Sequence, residues 1–125
     1  MTIKSYRDLV VWQKSMDLAE GIYVASRAFP KSETYGLSSQ VRRAAVSIAS
    51  NVAEGQTRRS TSEYQRFLSI AQGSLSEVET PVLLAKRLNY LEASKSEELL
   101  KLLSEVGRMI NGLRKSLDPY RTKKY

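Results

Sequence analysis

Apolar residues recur along this chain with helical spacing, in four runs separated by short polar stretches. The first run predicts a helix over residues 8–28, stopped by Pro30, whose ring cannot continue it. Val11, Leu18, Ile22, Ala25 and Phe29 form one stripe of that helix. Leu9, Trp12, Met16, Ala19 and Tyr23 form a second, rotated by roughly 100–120° at ~100° per residue. A helix in an isolated bundle needs one apolar face, so the second stripe predicts an oligomer interface. Cover by the N-terminal arm or a long loop would serve the same stripe.

The second run predicts a helix over residues 35–54. Leu37, Val41, Ala44, Ala45, Ile48 and Val52 fall in an arc of roughly 80°, a seam of mostly small residues that lets a neighbouring helix come close. Gly55 stands where a left-handed cap commonly ends a helix. Ser60-x-x-Glu63 reads as a capping box opening a third helix, residues 61–91, whose seam is Tyr64, Phe67, Leu68, Ala71, Leu75, Val78, Val82 and Ala85. Pro81 lies inside that seam, which keeps its phase beyond it, so a kink is expected there and not an end. Ser94-x-x-Glu97 reads as a second box for a fourth helix, residues 95–117, carrying Leu99, Leu102, Leu103, Val106, Ile110, Leu113 and Leu117. Four amphipathic helices with short connections predict an all-α fold: an antiparallel up-down-up-down four-helix bundle, one domain over residues 1–125 with a basic tail at 118–125.

Composition narrows the chemistry. The 125 residues are 42% hydrophobic and 26% charged, the balance of a globular domain. Cysteine is absent, which rules out disulfides, thiolate metal sites and cysteine nucleophiles. Histidine is absent too, so Ser-His-Asp chemistry, histidine-ligated zinc and the Glu-x-x-His di-iron site cannot be built. Glu77 and Glu79 are two apart and do not share a helix face. Glu54 and Glu63 flank a turn where capping and salt-bridge roles suit them. The expectation is therefore no enzyme, no cofactor and no metal; a nuclease would need Glu54 or Glu63. The opening MTIKSYRDLVVWQK holds no apolar core of signal-peptide length, and no run approaches the ~20 apolar residues of a membrane span. A cytoplasmic protein without a membrane partner is expected.

Charge is the remaining signal. Lys and Arg number 20 against 13 acidic residues, a net +7, which favours polyanionic partners such as RNA or DNA. Two places concentrate it. Opposite the apolar seam of the second helix, Arg43, Ser47, Ser50 and Glu54 share an arc of roughly 60°, flanked by Gln40 and Asn51. With Arg42, Arg58 and Arg59 nearby this row could bind phosphates, Gln40 and Asn51 donating hydrogen bonds. The same residues also read as an ordered polar network of Gln40, Ser47, Asn51 and Glu54, with Arg43 and Glu54 tying the helix to its neighbours and Asn51 and Glu54 ordering the turn at Gly55. The second place is the fourth helix and tail. Lys101, Arg108 and Lys115 recur every seven residues on one face, and Arg114, Arg121, Lys123 and Lys124 extend the charge with Tyr120 and Tyr125 interleaved. Glu97, Glu98 and Glu105 dilute this strip and offer i,i+4 pairs with Lys101 and its neighbours.

The residues themselves carry a resemblance. DLVVWQKSMDLAEGIY at 8–23, FPKSETYGLSSQVRRAAVSIASNVAEGQTR at 29–58 and EYQRFLSIAQGSLSEVET at 63–80 resemble, in content and order, the bacterial four helix bundle protein family. Its members include proteins encoded by intervening sequences inserted in 23S ribosomal RNA genes. The resemblance runs over roughly residues 5 to 92; beyond Ser94 it is of helical type only. It implies bundles assembled as rings, with a homopentamer favoured, and RNA binding inferred from genomic location and charge. A more distant resemblance, to the accessory variability protein of diversity-generating retroelements, implies an alternative: an interaction scaffold that recruits a reverse transcriptase. The matching positions are Trp12, Tyr35, Gly36, Leu37, Gln40, Arg42, Arg43, Ala44, Ser47, Asn51, Glu54, Gly55, Arg58, Phe67, Gly73 and Ser74. Among them Gly36, Ala44, Gly55 and Gly73 suit tight turns or close helix approach, while Arg42, Arg43, Asn51, Glu54 and Arg58 are free to do more.

Overall fold

The computed structural model describes residues 5–118, and within them the chain forms four α-helices and no strand. Helix α1 spans Val10–Ser26, α2 Leu37–Gln56, α3 Thr61–Arg87 and α4 Ala93–Ser116, with short 3-10 turns at Tyr6–Asp8 and Lys31–Glu33. Each helix packs on two others: α1 on α2 and α4, and α3 on α2 and α4. The seams read from the sequence meet at the centre. Leu18, Ile22, Val41, Ile48, Val52, Leu68, Val78, Val106 and Ile110 are all at most 2% exposed. Burying such side chains is worth about 1.5–3 kcal/mol each, which is what holds amphipathic helices of these lengths together.

Side chains link the helix ends across the bundle. The Arg42 guanidinium donates from Nε to Ser26 Oγ at 2.7 Å and from Nη2 to the Tyr23 carbonyl at 3.3 Å. Tyr64 O–H donates to Gln56 Oε1 at 2.7 Å, joining the start of α3 to the end of α2. Gln65 Nε2 donates to the Arg114 carbonyl at 2.7 Å, and Arg114 Nε returns a bond to Gln65 Oε1 at 3.2 Å. Glu33 fastens the connection between α1 and α2. Its Oε1 accepts from the Leu37 N–H at 3.1 Å, satisfying a free donor of α2's first turn, and its Oε2 accepts from Tyr90 O–H at 3.2 Å. A Cβ at Gly36 would lie 2.8 Å from that Oε1, so the glycine leaves room for the carboxylate.

Several expected boundaries are corrected by local chemistry. Residues 6–8 form a separate turn, capped by a Ser5–Asp8 box, and the chain beyond Ser26 closes in non-helical turns before Phe29. Gly55 is not a left-handed cap. It sits inside α2, no glycine has positive φ among the described residues, and a Cβ there would lie 2.8 Å from Tyr64 Cδ1. The glycine is there so that the α3 aromatic can approach. At Ser60 the side chain accepts from the Glu63 N–H at 3.2 Å, one arm of the expected box. Helix α3 runs unbroken through Pro81 but stops at Arg87, short of residue 91. Asn89, at φ 61°, turns the chain, with Tyr90 N–H bonded to the Ala85 carbonyl at 2.9 Å and Asn89 N–H to the Lys86 carbonyl at 3.1 Å. This is a Schellman ending with asparagine in the left-handed position. The box at Ser94 does not form: α4 begins at Ala93, and it is Ser96 Oγ that bonds back, to the Ala93 carbonyl at 2.8 Å.

Candidate nucleic-acid interface

The polar row of α2 divides into an inner and an outer part. Ser47 and Asn51 are half-buried and serve the fold: Asn51 Nδ2 donates to the Ser47 carbonyl at 2.8 Å and to Ser47 Oγ at 3.0 Å, and the buried Ser74 of α3 donates to Ser47 Oγ at 3.0 Å. Gln40, Arg43, Ser50 and Glu54 are exposed. Glu54 is engaged locally, accepting from Arg58 Nη2 at 3.0 Å and from Thr57 Oγ1 at 3.3 Å, so it orders the turn after α2. Arg43 does not tie α2 to a neighbour; it makes no hydrogen bond or ion pair among the described residues.

The expected arginines differ in what is left for a ligand. Arg42 points back to α1, where its bonds to Ser26 and Tyr23 are joined by a stack over the Tyr23 ring at 4.8 Å. Arg58 lies between Glu54 and Glu63, at 3.0 and 3.9 Å, and over the Phe67 ring at 4.8 Å. Arg59, beside it, is exposed and forms no ion pair among the described residues. On α4, Lys101, Arg108 and Lys115 are exposed, with Arg108 Nη1 bonded to Ser104 Oγ at 2.8 Å. The expected pairs with Lys101 do not form: Glu98 takes Lys95 at 3.4 Å and Glu105 reaches across to Lys14 of α1 at 3.3 Å. Arg114 does not extend the strip, because its guanidinium is spent on Gln65 and Gln72 of α3. Arg121, Lys123 and Lys124 lie outside the described residues.

The second apolar stripe of α1 lines a groove of about 720 Å³ between α1 and α2. Trp12, Met16, Ala19 and Tyr23 form one wall, Val46, Ala49 and Ala53 the other, with Asp17 and Glu20 at the rim. Met16 and Tyr23 are 46% and 42% exposed, so the stripe is only partly covered by the described residues. Tyr6 of the N-terminal turn packs edge-on against Trp12, ring centroids 5.3 Å apart, and covers one end; Leu9 packs against the core.

One feature was not legible in the sequence. Tyr35, Ser39, Gln40, Arg43, Ser47 and, from α3, Glu77 line a polar cleft of about 500 Å³ at the start of α2. Its α2 half follows from helical spacing, but the arrival of Glu77 depends on how α3 registers against α2. Among titratable groups, partial burial and then the Glu33 hydrogen bond and carboxylate charge push the Tyr90 phenol upward, and burial does the same to Tyr64. Among the described residues no three carboxylates cluster as a metal site would require.

The four-helix fold has counterparts among known proteins. The model of the 23S rRNA-intervening sequence protein family matches residues 7–112, and the chain belongs to that family. Among solved structures it is similar to a protein with unknown function from the S23 ribosomal protein family of Bacteroides thetaiotaomicron. The TM-score is 0.76 at 24% identity, covering 85% of this chain and 99% of that one. No curated protein matches this chain.

Proposed function

We propose that this protein is a non-enzymatic, cytoplasmic nucleic-acid-binding bundle that works as a homo-oligomeric ring, pentameric by preference, with RNA or DNA held on its basic surfaces. The observation that carries the reading is the uncompensated charge. A net +7 leaves Arg43, Arg59, Lys101 and Lys115 exposed and without carboxylate partners among the described residues. The links from the end of α1 to the start of α2, and from the end of α2 to the start of α3, support an antiparallel up-down-up-down course. The groove between α1 and α2 supports self-association, a second copy covering Met16 and Tyr23. A ring multiplies weak phosphate contacts by avidity, so modest patches on each subunit suffice.

The test couples the two halves of the proposal. Sedimentation is run on the wild type and on Met16→Glu, and both are titrated into a structured RNA. The expected result is a wild-type oligomer that binds RNA, and a dissociated variant that binds at least tenfold more weakly. No RNA binding by the wild type at low salt, or a wild-type monomer, overturns the proposal. A nuclease-resistant protein partner on the same groove would instead favour a scaffold, such as one recruiting a reverse transcriptase.

No helix among the described residues is long and apolar enough to cross a membrane.

A further inference from the structure

Among the described residues, the cleft at the start of α2 is a charged surface that carries an aromatic ring with nothing on it. Tyr35 is 97% exposed, and its side chain makes no hydrogen bond or ring contact among the described residues. Tyrosine exposed to that extent gains nothing for the fold. Around it stand three kinds of polar group. Arg43 and Gln40 come from α2 and Glu77 from α3, and the arginine and the carboxylate face the same space with no ion pair between them. Opposite charges on two walls, held apart across about 500 Å³, leave room for a ligand that carries both a negative group and hydrogen-bond donors.

We propose that this cleft holds one unpaired nucleotide of a bound RNA or DNA strand. The base stacks on Tyr35, its phosphate lies against Arg43, and its amino group donates to the Glu77 carboxylate. Stacking on an exposed aromatic with hydrogen bonds to the base edge is how proteins read single strands; in a duplex the base edge is already paired and its faces are covered. A carboxylate only accepts, so it suits the N4 amino group of cytosine and meets the carbonyls of uracil unfavourably. The inference rests on the nucleic-acid reading above and adds the strand type and the base preference.

Gly73 provides an independent handle. It lies one helical turn before Glu77 on the same face of α3, and a Cβ there would meet nothing within 4 Å. A larger side chain at Gly73 therefore intrudes beside the cleft without disturbing the bundle.

The experiment measures anisotropy of labelled twelve-nucleotide oligo-C, oligo-U and duplex RNA with the full chain at low salt. Oligo-C is expected to bind more tightly than oligo-U. Tyr35→Ala is expected to weaken oligo-C binding about tenfold while leaving duplex binding unchanged. Glu77→Gln should erase the preference for C over U, and Gly73→Leu should weaken oligo-C binding with no fall in melting temperature. If the wild type binds RNA and the variants bind equally well, the cleft proposal is overturned while the nucleic-acid reading stands. If the wild type binds none, both fall. If Tyr35→Ala changes the sedimentation coefficient but not RNA affinity, the cleft is a subunit contact and the proposal is likewise overturned.

Discussion

Gly55 and Tyr64 meet face to face across the turn between α2 and α3: a Cβ on the glycine would sit 2.8 Å from Tyr64 Cδ1 and 3.2 Å from Phe67 Cβ. The absence of a side chain is thus what lets the aromatic pair of α3 close over the end of α2, where Tyr64 reaches Gln56. Gly55→Ala should destabilise the fold by about 1–3 kcal/mol, since overpacking outweighs the gain in helix propensity. Gly73→Ala, in open space on a helix, should stabilise by about 0.5–1 kcal/mol. Chemical denaturation of the two variants checks the opposite signs; two changes of the same sign would contradict the packing described here.

Arg42 and Arg43 are neighbours with opposite fates, and lysine separates them. At Arg42 the fork donates to Ser26 Oγ and to the Tyr23 carbonyl at the end of α1, and lysine cannot reproduce that geometry. Arg42→Lys should cost about 1–2 kcal/mol of stability with RNA affinity nearly unchanged. Arg43→Glu should leave the melting curve in place and weaken RNA binding. Thermal melts read beside binding isotherms settle which arginine does which task.

The Tyr90–Glu33 bond carries a pH signature. An unfolded tyrosine loses its proton near pH 10, and the folded one holds it to higher pH, because burial and then the Glu33 carboxylate disfavour the phenolate. Above pH ~10 the unfolded chain therefore binds fewer protons than the folded one. The stabilisation is complete below that pH and is lost as pH rises through the folded value. Tyr90→Phe should fall less steeply in stability above pH ~10 than the wild type, with Tyr64 titrating in both. Denaturation midpoints at pH 8 and at pH 10.5 make the comparison; equal slopes would remove the claimed linkage.

On α4 the strip of Lys101, Arg108 and Lys115 is exposed along one face. Reversing Lys101 and Lys115 to glutamate should weaken RNA binding several-fold without touching the core, since neither makes an ion pair among the described residues. An unchanged isotherm would move the contact surface to α2.

The seams were legible because burial follows helical period: every residue read as core on α2, from Leu37 to Val52, is buried. Ends were less so, because they depend on chemistry that period does not carry. Asn89 stops α3 through its left-handed backbone, and Glu33 starts α2 from outside the helix. The candidate site was legible as a list of residue types but not as an arrangement. Whether Arg42 is available depends on Ser26, sixteen residues earlier, and whether Arg58 is available depends on both Glu54 and Glu63. Glu77 does not share a face with Glu79 on its own helix, and most of the residues that line the cleft with it come from α2.

Surface charge as the working equipment of this chain is tested most directly by the dependence of RNA affinity on salt. The logarithm of the association constant should fall linearly with the logarithm of salt concentration, with a slope near −0.7 to −0.9 for each phosphate engaged. A steep fall between low and physiological salt is the predicted result. Affinity that stays flat across that range, or is absent even at its low end, would contradict the account.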